Sequence, residues 1–300
     1  MPRAKPAGAR PSARPSRAAP AIRAATHHDI PAIRAILAAH DNDGPIDETG
    51  VDIVGPYLLQ LLHRHRALVT ERDGEVVAFG AVVDTGAAAM LSDLFVRPDL
   101  LGQGLGRPLL AALFEGSVER ATFASADPRA VPLYVRAGMT PLWTSFYVEG
   151  TAARLPPLDP GLTTWDATPE ELSLLEEAWT GASRPSDHDY FARQPAADAF
   201  LVEDEEGPAA FGYGRAKQGS AARQLDRLLV RPGADPVAPI IAGLARAARK
   251  GIVRACVPGP NPVLPVLLEH GFRVVDSDQY LASSPDLVDP ERMLPNPGLL

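Results

Sequence analysis

The sequence predicts a mixed α/β protein built as two similar domains, each a mostly antiparallel sheet flanked by helices. Three observations carry that prediction. Apolar residues alternate between the period of two typical of strands and the 3.6-residue period of helices. The chain has 300 residues, more than one domain usually holds. Finally, Leu228-Leu229-Val230-Arg231-Pro232 echoes Leu94-Phe95-Val96-Arg97-Pro98 at an offset of 134 positions, and Gly271-Phe272 echoes Gly138-Met139 at 133. Two echoes at nearly equal spacing predict a duplication.

The ordered part opens with a short strand at residues 21–25 and a helix from His28-Asp29 through Ile33, Ile36 and Leu37, which Asp29 or Thr26 can cap. His27 and His28 read as helix-start residues. Residues 40–48 hold turn formers and carboxylates with no apolar period, a loop before a second helix carrying Val54, Tyr57, Leu58, Leu61 and Leu62. Strands at 67–71 and 76–83 flank Asp73-Gly74, a strong hairpin signal. A strand from Met90 to Val96 then runs past Pro98 into a glycine-rich turn and a helix, Arg107 to Phe114. A strand at 121–124, a helix holding Ala130, Leu133, Tyr134 and Val135, and a strand from Trp143 to Val148 follow, with Gly138 ending the helix in a left-handed conformation. The boundaries expected are a disordered basic tail at 1–20, a first domain at 21–150, a proline-rich linker at 151–161, a second domain at 162–284 and a tail at 285–300.

Composition narrows the function classes. A formal net charge of −8 argues against a general nucleic-acid binder, and no apolar run reaches bilayer-spanning length. The single cysteine, Cys256, excludes an intrachain disulfide framework and makes a zinc cluster implausible. It reads as a small buried apolar residue in a strand. No metal site is expected, and a reducing cytoplasm is the simplest compartment. The first twenty residues are basic and proline-rich, without the apolar core of a signal peptide or the amphipathic helix of a presequence.

Chemistry concentrates at Leu101-Gly102-Gln103-Gly104-Leu105-Gly106-Arg107. Glycines there leave amide hydrogens unobstructed at the first turn of a helix, whose dipole favours negative charge. A pyrophosphate is the natural ligand. Taken alone, such glycines also serve simply to reverse the chain. The pattern Leu94-x-Val96-x-Pro98-x-x-x-Gly102-x-Gly104-x-Gly106-x-x-Leu109-Leu110 resembles the signature of the GNAT superfamily of acyl-CoA acyltransferases, and Ala130-x-x-Leu133-Tyr134-x-x-x-Gly138-Met139 resembles that family's second motif.

The resemblance spans residues 21 to 148 and implies a sheet splayed where the pantetheine arm of acetyl-CoA lies. It implies that the turn from Leu101 to Arg107 holds the pyrophosphate and that backbone groups of Phe95 and Val96 pair with pantetheine amides. Leu101 departs from the basic residue usual there, and Asp127 from the usual Asn. Tyr134 matches the tyrosine that protonates the departing thiolate in many members; otherwise it is a core aromatic on a helix. Asp93 stands where relatives often place an acid and is the candidate general base; its alternative is an ordinary strand-end carboxylate. The family often builds one acceptor wall from the loop joining its first two helices, here bearing Asp41, Asp43, Asp47 and Glu48, which either attract a cationic amine or are merely solvated.

The second copy lacks these features. Gly233-Ala234-Asp235-Pro236-Val237-Ala238-Pro239 replaces the glycine turn, two prolines remove amide donors, and Leu267 stands opposite Tyr134. It is expected to bind no CoA, and to cover the first site or form an oligomer contact such as a homodimer. The expected function is acetyl transfer from acetyl-CoA to the amine of a small molecule or peptide, without nucleic acid or membrane as partner. The alternatives are an acyl-CoA sensor that kept the cradle and a dinucleotide-binding enzyme, whose glycine turn would instead follow the first strand of a βαβ unit.

Overall fold

The structure is a computed structural model that describes residues 19–40, 54–125, 127–182, 184–217, 220–249 and 251–300. The acidic loop with Asp41, Asp43, Asp47 and Glu48 lies outside the described residues, as do the first eighteen residues.

The first half comprises β1 (Ala21–Ala24), α1 (Ile30–His40), α2 (Val54–Arg64), β2 (Arg66–Arg72), β3 (Glu75–Asp84), β4 (Ala89–Val96), α3 (Gly106–Leu113), β5 (Arg120–Ala124), α4 (Ala130–Arg136) and β6 (Thr140–Thr151). The second repeats this order as β7 (Thr163–Asp166), α5 (Pro169–Thr180), α6 (Pro185–Ala192), β8 (Asp198–Asp204), β9 (Gly207–Ala216), β10 (Arg223–Val230), α7 (Val237–Ala248), β11 (Ile252–Pro258), α8 (Val263–Glu269) and β12 (Arg273–Ala282), with β13 (Met293–Leu294) appended. The β2–β3 turn has φ +54° at Asp73 and +82° at Gly74, the double positive φ that an Asp-Gly hairpin turn requires. α5 has the best-formed helix start: the Thr168 hydroxyl accepts the Glu171 amide while Glu171 reaches back to the Thr168 amide.

Among the described residues all thirteen strands form one sheet, and its order is the main departure from two self-contained domains. It reads β1-β2-β3-β4-β5-β12-β6-β11-β10-β9-β8-β7, with β13 on β10. Each half therefore has its fifth strand completed by the other half's last strand: β12 pairs with β5, and β6 pairs with β11. The two exchanged strands pair with each other across the middle. Packing follows the pairing, since Leu281 of β12 is buried in the core under α3 and α4, while Val148 of β6 is buried in the core under α7 and α8. On the opposite face a single core spans both halves, joining Ile33, Leu58 and Leu61 to Leu172, Phe191 and Tyr280. Cutting between the halves would expose that apolar surface, at roughly 25 cal/mol per Å².

Among the described residues only two neighbouring strand pairs are parallel, β4 with β5 and β10 with β11, and each holds for three residue pairs. An irregularity in register follows in both β4 and β10, at Ser92 and Asp226, and the parallel partners then separate. In the second half the resulting gap is filled by the chain itself. Leu228 and Leu229 pair with Leu294 and Met293, the Val230 amide donates to the Arg292 carbonyl at 2.9 Å, and Arg292 Nη1 donates to the Val230 carbonyl at 2.7 Å. Asn261 donates to the carbonyls of Pro290 and Glu291 and so anchors this segment.

The shared face also buries a charged cluster. Glu176 of α5 accepts from Arg184 at 2.7 Å, from His188 at 2.6 Å and from Arg227 of β10. A carboxylate only accepts, so His188 carries its proton on Nε2 and its Nδ1 accepts from the Tyr213 hydroxyl at 2.7 Å. The two guanidiniums and the histidine outweigh burial and hold the Glu176 carboxyl far below the usual range.

Candidate active site

In the first half the β4–β5 gap stays open. A cavity of about 560 Å³ occupies it. Its walls include Ser92, Leu94 and Phe95 of β4, Thr122 and Phe123 of β5, and Tyr134 of α4. Leu94 and Tyr134 pack with the core under α3 and α4, whereas the Phe95 ring lies 5.4 Å from His40 of α1. The opening thus passes through the sheet, from the α3/α4 face to the α1/α2 face.

Tyr134 is 8% exposed and has no side-chain hydrogen-bond partner among the described residues. Burial, then the charges of Asp93 and Asp127, push its phenol up, so it stays protonated at neutral pH. Asp93 is buried and does not itself line the cavity. The Tyr57 hydroxyl donates to it at 2.6 Å. Burial pushes the Asp93 carboxyl up, while the hydroxyls of Tyr57 and Ser92 work against that shift. Asp127 lines the cavity and is held by Arg129, whose amide and guanidinium both donate to it, at 2.8 Å and 2.7 Å, which keeps its carboxyl low.

The glycine turn stands at the outer end of β4. Gly102 and Gly104 have φ of +77° and +79°, and a Cβ added at either would meet no atom within 4 Å. Both features fit a ligand approaching the backbone closely: side chains are excluded by conformation, and the space before them is open. No side chain caps the start of α3. Leu105 is buried and anchors the turn, Gln103 and Arg107 are exposed, and Leu101 lines the cavity. The equivalent turn of the second half is closed, because Asp235 Oδ1 accepts the Val237 amide at 3.0 Å.

Five residues at this site gave no sequence signal. Arg72, the last residue of β2, donates to Gln103 Oε1 at 2.9 Å and so brings a guanidinium to the turn that lacks a basic residue at 101. His40 Nε2 donates to the Val96 carbonyl at 2.7 Å and engages one backbone group expected to meet pantetheine. Its counterpart in the second half is Arg292 on the Val230 carbonyl. Asp278, Pro297 and Gly298 line the same cavity, although all three belong to the second half of the sequence.

Comparison with known proteins agrees with this geometry. Residues 63–140 match the model of the acetyltransferase (GNAT) domain family. Nothing among curated protein sequences matches the chain. A putative acetyltransferase from Pyrococcus horikoshii superposes with a TM-score of 0.68 at 16% identity, over 91% of this chain and 92% of its own. A GCN5-related N-acetyltransferase from Sphaerobacter thermophilus gives 0.56 at 18% identity, over 88% and 95%. A tandem GNAT protein from the clavulanic acid biosynthesis pathway gives 0.59 at 15% identity, over 89% of this chain and all of its own, 100%. Residues 63–140 therefore match a GNAT acetyltransferase domain, and the chain as a whole has a tandem GNAT fold.

Proposed function

We propose that the first half transfers an acetyl group from acetyl-CoA to a primary amine of a small molecule or peptide, by direct attack of the amine. One observation carries this reading: the cavity that crosses the sheet at the β4–β5 gap has Tyr134 in its wall, and its β4 wall leads directly to the open glycine turn.

Acetyl-CoA supplies a thioester carbonyl already activated for acyl transfer. The amides between Gly102 and Arg107 receive its pyrophosphate, with Arg72 and Arg107 as the nearby positive charges. Phe95 and Val96 offer backbone groups to the pantetheine arm once His40 releases the Val96 carbonyl. Tyr134, protonated and in the wall of the cavity, gives its proton to the leaving sulfur. Asp93, its carboxyl pushed up by burial, takes the ammonium proton through the Tyr57 hydroxyl or a water.

Three measurements test the reading. CoA titrates calorimetrically to one molecule per chain, because β13 fills the second gap and Asp235 closes the second turn; saturation at two would refute that. Gly104→Val raises the Kd for CoA at least about tenfold without altering the circular dichroism, since a β-branched residue at positive φ costs roughly 1–3 kcal/mol and its side chain points into the cradle. Amine-dependent thiol release from acetyl-CoA across a panel of amines separates an enzyme from a protein that only binds the cofactor. Tight CoA binding without any amine-dependent release would end the enzyme reading.

A further inference from the structure

Three carboxyls in the described residues have pKa values raised by burial: Asp93, Asp226 and Asp278. Asp226 has a counter-charge, Arg215, at 2.6 Å. The other two have no basic partner among the described residues. Each is held instead by a tyrosine hydroxyl, Tyr57 on Asp93 at 2.6 Å and Tyr147 on Asp278 at 2.7 Å. Asp93 has a role in the reading above. Asp278 has none, yet it lines the cavity directly.

Strand exchange puts it there. Gln279 of β12 pairs with Ala124 of β5, so Asp278 stands opposite Ser125, just beyond the end of that strand. Thr122, where β4 and β5 part, is three residues back, about 10 Å along the strand. Asp278 shares the face of Tyr280, which is buried in the core under α1 and α2. That is the face opposite Tyr134, from which an acceptor would reach the gap. Tyr147 uses Asp278 Oδ2 and leaves the other oxygen without a side-chain donor among the described residues. A half-buried carboxylate on a cavity wall, with a hydroxyl to orient it and no cation to neutralise it, is complementary to a positive group on a ligand.

We propose that Asp278 binds a second, remote ammonium of the acceptor, so that the preferred substrates are amines carrying another cation about 10 Å from the reacting nitrogen. The subsite rests on the acyl-transfer reading for its place in a reaction, and on the cavity alone for its existence. Its acid comes from the second half, which gives the degenerate copy a role in specificity rather than in cofactor binding.

The test is calorimetric titration of the CoA-saturated protein with 1,6-diaminohexane and with hexylamine, which differ by one ammonium. Wild type binds the diamine at least about tenfold more tightly, Asp278→Asn binds the two alike, and Asp278→Glu keeps a preference for the diamine. CoA affinity is the same in all three. A wild type that does not prefer the diamine, a preference that survives in Asp278→Asn, or a loss of CoA affinity in that variant would overturn the proposal. If the diamine preference is present and lost as expected while acetyl-CoA releases no thiol with any amine, the acyl-transfer reading falls and the cation subsite stands.

Discussion

Tyr134→Phe lowers kcat by about 10²-fold or more, ~2.7 kcal/mol of transition-state stabilisation, and leaves the Kd for CoA unchanged. The substitution removes only a hydroxyl. The ring stays packed under α3 and α4 with Leu91, Leu109 and Leu113, so the fold has no reason to respond. The phenol is poised as a donor, kept protonated by burial and by the nearby carboxylates of Asp93 and Asp127. Steady-state kinetics at saturating amine, with calorimetry of CoA binding alongside, measures the two effects separately. Turnover at the wild-type rate would make Tyr134 a core aromatic and pass the proton to water or another group.

Glu176→Gln destabilises the protein by about 3–5 kcal/mol, read as a lower midpoint in chemical denaturation, because it strips the counter-charge from Arg227 and the nearer of two from Arg184, which keeps Asp187 at 3.8 Å, in the shared core. The amide keeps the volume and one acceptor oxygen. Two buried guanidiniums then share a neutral group and the single, more distant carboxylate of Asp187. The same cluster predicts a pH dependence with a definite sign. The folded-state pKa of Glu176 is depressed, so its contribution is complete above the ordinary glutamate value of about 4.3 and erodes as pH falls below it. Wild type therefore loses stability between pH 5 and lower values, as an order-of-magnitude window, more steeply than Glu176→Gln does. A loss below about 1 kcal/mol in the variant would mean that water reaches the arginines in the native state.

Much of the local structure was legible because its causes are local. The Asp73-Gly74 hairpin, the strand into the glycine turn and the helix of Tyr134 were each read from residues within about a dozen positions of one another. The duplication was legible too, since β4 and β10, and the glycines ending α4 and α8, fall at the equivalent places that the echoes had marked. The predicted strand at 143–148 was too short; β6 runs from Thr140 to Thr151, because it pairs along nearly its whole length with β12 on one side and β11 on the other. Propensity at its ends did not reveal partners so distant in sequence.

The sequence by itself determined most of the helices and strands of the first half, that the chain is duplicated, and where a glycine-rich turn opens a helix. All of these follow from periodicity, steric limits on φ and repetition, which short stretches carry internally. Only the tertiary structure decided that β6 and β12 change places, that residues 292–294 fill the second gap, that Arg72 reaches Gln103, that His40 engages Val96, and that Asp278 enters the first half's cavity. Those contacts join residues from about thirty to more than a hundred and fifty positions apart, and the sequence marks neither partner. Strand edges accept any backbone in suitable register, so the choice among possible pairings is made by how much apolar surface the whole assembly buries.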